Sequence, residues 1–362
     1  MFVSHLSLKD FRSYENLELS LKAGQNIFIG ENGEGKTNII EALMYLALLS
    51  SHRISSDQPL IKLDSERAYI RAKIESDERT TLVELEINNG KANRAKVNQN
   101  PVRSQKEILG LVKSVCFSPE DLDLVRGDPS ERRSFLDQLL IQQSPRLAGV
   151  ISDYERALKQ RNSLLKSRAP ESSLRSWSEH LATFGGELIA GRIKLINEIE
   201  PLFQIAYKNL SAKKLAKLGY KSSIPAPSSE KEVNKEVMLK VIEEVKSQEI
   251  ERGISLVGPH RDDLILNLGD HPVKGYASHG ESWSIALALR LASYQLFINE
   301  GAKPILILDD VFSELDEGRR EKLLEIADSA EQTFITVAVE NDLPKAIQGA
   351  RFKVEMGKVV IL

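Results

Sequence analysis

Eight consecutive residues, Gly30-Glu31-Asn32-Gly33-Glu34-Gly35-Lys36-Thr37, have the types and spacing needed to hold a phosphate chain. Glycines let backbone N–H groups close around anionic oxygens, and a helix that begins at such a loop adds the partial positive charge of its N-terminus. In the spacing G-x-x-x-x-G-K-[ST], Lys36 meets the β- and γ-phosphates of ATP, and the hydroxyl of Thr37 ligates Mg2+. Asn38, next in the chain, is expected to bind the nucleotide together with the loop. Lys36, on what reads as an exposed loop, is expected to matter for binding and little for the core. A second group of residues suits the same ligand: the apolar run Ile305-Leu306-Ile307-Leu308 ends in Asp309 and Asp310. Ligands in doubly wound sheets sit at strand ends. Asp309 fits the magnesium shell, and Asp310 stands where a carboxylate polarises the attacking water. An apolar run followed by two acids also describes a solvated strand end; the glycine loop upstream is what favours chemistry.

Ser278-His279-Gly280-Glu281, followed by the apolar helix pattern IALALRLASYQLF, precedes the carboxylate strand. This is the placement of the ABC signature motif, S-G-G-Q or S-G-G-E. A serine hydroxyl, a glycine backbone and a helix N-terminus make an anion site. In that geometry a signature cannot reach its own glycine loop, so Ser278, Gly280 and Glu281 are expected at the ATP of a second copy. Ser313-Glu314-Leu315-Asp316 matches the S-x-L-D element that meets the dimer partner. Each tetrapeptide also reads as an ordinary helix cap. Their order along the chain is the specific signal.

The elements that must position these groups are legible in the periodicity. FVSHLSL and NLELSL alternate, NIFIG is an apolar strand entering the glycine turn, and TNIIEALMYLALL has helical spacing. YIRAKIE, TTLVELEI and AKVN alternate, with Asn89-Gly90 as a turn, and predict a small antiparallel sheet at about 66–103. From about Ser130 the pattern is helical. Ser144 and Pro145 read as the N-cap and first position of a helix bearing Leu147, Ile151, Tyr154, Leu158 and Leu165 on one face. The next helix carries Leu174, Trp177, Leu181, Phe184 and Leu188, and the two are expected to pair as an antiparallel hairpin. Residues 224–229 read as a loop or hinge before a helix near 231–247. Strand and helix alternation returns after Gly253.

Composition bounds the rest. The 362 residues are 41% apolar and 28% charged with a formal net charge of -3, so any nucleic-acid contact is local and not a property of the whole chain. Cys116 is the only cysteine, which excludes an internal disulfide or a C-x-x-C zinc site and fits a reducing compartment. No stretch reaches the roughly 18 apolar residues of a membrane span, and the start lacks a secretory pattern. A cytoplasmic protein is expected.

KDFRSY, GENGEGKTN with IIEAL after it, SHR at 51–53, FSPEDLDLVRGDPSERRSFLD, GPHRDDL, YASHGES and LDDVFSELDEGRR together resemble the RecF family, in that family's order from Lys9 to Arg320. The resemblance implies an α/β, ABC-type (SMC-like) P-loop ATPase head of 1–121 plus 251–362 with a helical arm inserted at 122–250. It also implies an ATP-dependent homodimer, binding to single-stranded, gapped or duplex DNA, and a weak DNA-stimulated ATPase. Recombinase loading with recombination mediator proteins and a part in the SOS response belong to the same implication. His279 stands where the family usually has Gln, and Ser282-Trp283 replace a more polar pair. Glu281 matches relatives with long coiled coils.

Other classes fit less well. A transporter's ATPase subunit would carry a switch histidine downstream, yet all six histidines precede the carboxylate strand, and FSPED offers no Gln for a glutamine loop. Asp310 is one carbon shorter than the Glu of most transport ATPases, which points to slow hydrolysis. A structural SMC-like chromosome protein needs longer arms, and a small-molecule kinase has no use for the signature. Two acid-free runs, one with Arg156, Lys159, Arg161, Lys166 and Arg168, the other with Lys208, Lys213, Lys214, Lys217 and Lys221, are the candidate DNA surface. A solvated helix face would show the same charge pattern.

Overall fold

The computed structural model describes every residue except 52, 55, 77, 78, 212, 213, 345 and 346, so His52 and Lys213 lie outside the described residues. The chain forms two compact units, Met1–Asp121 with Leu287–Leu362, and Leu122–Ala286. In chain order the first unit opens with β1 (Phe2–Phe11), β2 (Tyr14–Ser20), β3 (Gly24–Ile29), α1 (Lys36–Leu48), β4 (Arg67–Ser76), β5 (Arg79–Asn88), β6 (Arg94–Val97), β7 (Asn100–Pro101) and β8 (Ser114–Phe117). The second unit holds α2 (Leu122–Arg126), α3 (Pro129–Gln143), α4 (Leu147–Lys166), α5 (Glu171–Leu210), β9 (Ala216–Lys221), α6 (Lys231–Arg252), β10 (Asp263–Leu268) and β11 (His271–Pro272). The helix α7 (His279–Asn299) runs through the second boundary, and β12 (Ile305–Asp309), α8 (Glu317–Ser329), β13 (Gln332–Val337), β14 (Ala350–Glu355) and β15 (Lys358–Ile361) complete the first unit.

Two sheets build the first unit. The antiparallel one has the order β2-β1-β4-β5-β6-β7. Ala68, Ile70, Ala72 and Ile74 alternate inward along β4 and meet Val83, Leu85 and Ile87 of β5, while Arg67, Arg71 and Lys73 face out. The second sheet has the order β15-β14-β3-β13-β12-β8, with every neighbour from β14 to β8 parallel. Its strands β3, β12 and β13 are buried without alternation because both faces are covered. Helix α1 shares one apolar core with residues of both sheets, and burial on nearly every side explains its apolar circumference.

The second unit is a helical hairpin with a small sheet. Bonds from Arg161 to Ser178 and from Arg146 to Glu187 mark the antiparallel run of α4 against α5, while Asp137–Arg192 and Gln143–Glu198 place α3 parallel to α5. The boundary at 250/251 expected from sequence is corrected to Ala286/Leu287. The reason is β9, which finds its partner β10 only after Arg252. Arg132 then clamps Asp263 bidentately at 2.8 and 2.9 Å.

Other details also differ. Ser144 ends α3, and α4 starts at Leu147 after a turn in which the Ser144 carbonyl accepts the Leu147 N–H at 2.9 Å. The 224–229 segment is a pinned loop, not a hinge: Ile224 is buried, and Asn234 bonds both the N–H and the C=O of Ser228. No helix among the described residues is long and apolar enough to cross a membrane.

Candidate functional site

Strand β3 ends at Ile29 and the chain turns through Gly33 (φ +91°) and Gly35 (φ +112°), a left-handed geometry open to glycine and strained for other residues. A Cβ at Gly30 would stand 2.3 Å from the Val354 carbonyl, and one at Gly35 would stand 2.9 Å from both Ser13 Oγ and Tyr14 Oη. Tyr14, the last residue of KDFRSY, donates from its hydroxyl to the Gly35 carbonyl at 3.0 Å. Asn38 donates to Ser13 Oγ at 2.9 Å. Behind the loop Glu41 of α1 is fully buried and receives two bonds of 2.6 Å from Arg12. Burial raises the Glu41 carboxyl, yet the bonds from Arg12 and Ser51 outweigh it and hold the group below the usual carboxylate range.

A cavity of about 360 Å³ lies over this loop, lined by Asn32, Gly33, Gly35, Lys36, Thr37, Asn38, Arg53, Pro119, Glu120, Asp309 and Asp310. The two signals read from sequence, glycine loop and carboxylate pair, therefore meet in one cavity. Parallel pairing explains it: β3, β13, β12 and β8 all end at the same sheet edge. Gly30, Glu31 and Glu34 are not on the lining. Glu34 turns to the β14–β15 hairpin, accepting from the N–H of Met356 with its side chain and from Gly357 with its carbonyl.

Lys36 is 5% exposed, which corrects the expectation of an exposed loop lysine. Its Nζ donates to the carbonyls of Gly30 and Glu31, the latter at 3.0 Å. Burial lowers its pKa, an effect that Asp310, Asp309 and Glu34 oppose. Asp309 is buried and accepts from Thr336 Oγ1; burial pushes it up to about 6, with Glu120 and Asp310 adding to the rise. Asp310 sits at φ +51°, held by bonds from its N–H to Thr336, and burial raises its carboxyl against the pull of Lys36. A hydroxyl and a carboxylate are hard oxygen donors of the kind magnesium takes, and a divalent cation beside Asp309 would favour its charged form. Helix α1 has Gly35 as its N-cap, with no side-chain cap and no acid in its first turn, and its first residues Lys36, Thr37 and Asn38 line the cavity, an arrangement that suits an anion.

Ser278, Gly280 and Glu281 belong to the other unit and are not among the residues lining this cavity. At the start of α7 the Glu281 N–H donates to Ser278 Oγ at 3.2 Å and the Ser278 N–H donates to Glu281 Oε2 at 2.8 Å, a reciprocal capping box. Lys214 donates to Glu281 at 2.9 Å, and these hydrogen bonds hold the carboxyl down at about 2. Asp316 of S-x-L-D caps α8 through the Arg319 N–H at 3.0 Å, and Leu315 is buried.

The family model described as RecF/RecN/SMC N terminal domain matches residues 2–358. The chain is 52% identical to the DNA replication and repair protein RecF of Streptomyces avermitilis, with 99% of each chain covered. It belongs to the RecF family. The protein of the same name from Kineococcus radiotolerans is 49% identical over 96% of each chain. A solved structure of the recombination mediator protein RecF with ATP in the RecFOR pathway superposes on this RecF-family chain with a TM-score of 0.91 at 28% identity, covering 100% of this chain and 97% of that one. An Smc head domain from Pyrococcus furiosus gives 0.55 at 17% identity and shares the fold.

The structure also corrects and extends the RecF-family motifs. Glu120 and Arg53 line the cavity, although FSPED stands out in the sequence only for lacking a Gln. The pattern SVCF-SPED, an apolar strand running into acids, is the available signal, since ILIL-DD repeats it one strand away. Arg161 is removed from the candidate DNA surface: it is 2% exposed and bonded to Glu249, Ser178 and Ser255. GPHRDDL is architectural. Asp262 accepts from Tyr220, Ser222 and Ser223, and His260 Nδ1 lies 2.6 Å from the Tyr154 hydroxyl.

Proposed function

We propose that this RecF-family chain is a cytoplasmic, ATP-dependent switch that binds DNA in recombinational repair, closing into a homodimer on ATP and opening on slow hydrolysis. The observation that carries the reading is the single cavity in which Lys36, Thr37, Asp309 and Asp310 converge. Lys36 would leave the loop carbonyls for the β- and γ-phosphates, Thr37 and Asp309 would hold magnesium, and Asp310 would orient the attacking water. Asp310 is short and its backbone is fixed by Thr336, which suits a slow timer over a fast motor. Ser278 and Gly280 would meet the partner copy's γ-phosphate, with Glu281 retained as the cap that fixes them. Other recombination mediator proteins are the expected partners, a reading supported by likeness to the ATP-bound relative, itself a recombination mediator of the RecFOR pathway.

For DNA, the exposed Lys159, Lys166 and Arg168, with Lys208, Lys217 and Lys221, remain as phosphate contacts without sequence preference. Arg156 pairs with Asp153, and Lys214 is held by Glu281. The composite site is tested by light scattering with ATP. Ser278→Arg should block dimerisation while monomers still bind ATP, and Asp310→Asn should give a longer-lived dimer. Filter binding to single-stranded, duplex and gapped DNA with and without ATP supplies the substrate. Wild-type-like dimerisation of both variants would show that these residues form no shared site.

A further inference from the structure

Two residues ahead of Ser278 the chain displays an aromatic ring that its own fold does not cover. Tyr276 is 71% exposed and lies against the ring of His271, with centroids 5.6 Å apart and planes within 15°. The loop beneath it is tied down at several points. Val273 is buried, its N–H donates to Leu266 at 2.9 Å, and its carbonyl accepts from Tyr276 at 3.1 Å and Ala277 at 3.0 Å. Lys274 donates to the Gly127 carbonyl at 2.9 Å and lies 3.9 Å from Asp128. A pre-organised loop that spends its hydrogen bonds on holding one ring outward gains no core packing from that ring, but it loses little entropy when a flat ligand lands on it.

We infer that Tyr276, backed by His271, is the face on which the ribose and base of the partner copy's ATP rest, a further binding contact of the composite site. The inference rests on the dimer reading proposed above. Reach permits it: Tyr276 is two residues from Ser278, at most about 7 Å along the chain, and its ring extends farther, so the ring can meet the sugar and base end of a nucleotide whose γ-phosphate meets Ser278. Chemistry supports it too. An aromatic face accepts any base by stacking. The local cation Lys274 is neutralised by Asp128 and a carbonyl, which favours a base over a phosphate backbone and so a nucleotide over DNA.

The test uses the full chain with ATP and magnesium, following dimerisation by light scattering as ATP is titrated, together with ATP binding to dilute monomer. Tyr276→Ala should raise the ATP concentration at half-dimerisation about tenfold, the scale of one lost stacking contact, and leave monomer binding unchanged. Tyr276→Phe should behave as the wild type, because the ring and not the hydroxyl makes the contact. Dimerisation of Tyr276→Ala at wild-type ATP concentrations overturns the inference while leaving the switch reading intact. Loss of DNA binding by Tyr276→Ala with normal dimerisation overturns it in favour of a DNA platform. A wild-type chain that stays monomeric with ATP removes both readings.

Discussion

The cavity of the first unit and the interior of the second use the same charged residue types in opposite ways. In the first, Lys36, Asp309, Asp310, Arg53 and Glu120 are directed into a cavity, and α1 begins without a side-chain cap. In the second, Arg161–Glu249, Arg192–Asp137 and Arg132–Asp263 are consumed by one another, and α7 begins with the reciprocal Ser278–Glu281 cap. Charges left facing a cavity keep their free energy available for a ligand. Charges paired in the interior have already used it to define the fold, since a buried ion stripped of its partner is strongly unfavourable. GKTN and GPHRDDL look equally conspicuous in the sequence, but the first is a binding device and the second a structural joint.

The sharpest way to break this contrast is a pair of substitutions with opposite readouts. Arg161→Ala leaves Glu249 buried with only the Leu256 N–H at 2.7 Å and should cost about 3–5 kcal/mol of stability in urea melts, with little change in ATP affinity. Lys36→Ala should do the reverse. ATP binding weakens about a hundredfold as charge-assisted phosphate contacts are lost, while stability moves by about 1–2 kcal/mol as the part-buried carbonyls of Gly30 and Glu31 lose a donor. Equal stability losses in the two variants would erase the distinction.

A smaller effect is expected with pH. Burial pushes His260 down to about 4 from 6.5, so it is neutral when folded and takes up a proton on unfolding between those values. Stability from this residue is complete above pH 6.5 and falls as pH drops toward 4, by up to about 3 kcal/mol. Urea midpoints of wild type and His260→Gln at pH 7, 6 and 5 should differ in slope, the variant being flatter. ATP affinity at pH 7 should be the same in both. Smallest is the cap: Glu281→Ala should cost about 1 kcal/mol in the same melts, and no measurable loss would mean that Ser278 alone satisfies the start of α7.

Much of this was determined by local chemistry. Only glycine tolerates the backbone at Gly33 and Gly35, so the phosphate loop announces itself. Uncharged apolar runs mark strands covered on both faces, as in NIFI and ILIL, and alternation marks the half-covered sheet of β4 and β5. These are properties of short stretches, and they survive without knowledge of distant residues. Tertiary structure alone decided the rest. Whether an arginine is a DNA contact or an interior clamp depends on a partner 88 residues away, as Arg161 and Glu249 show, and no helical spacing reports that. Glu120 enters the cavity only because β8 lies parallel to β12, and residues 251–286 join the helical unit only because β10 pairs with β9. Period and composition encode which face of an element is buried; they do not encode which other element buries it, and the fate of every charged side chain turns on that second fact.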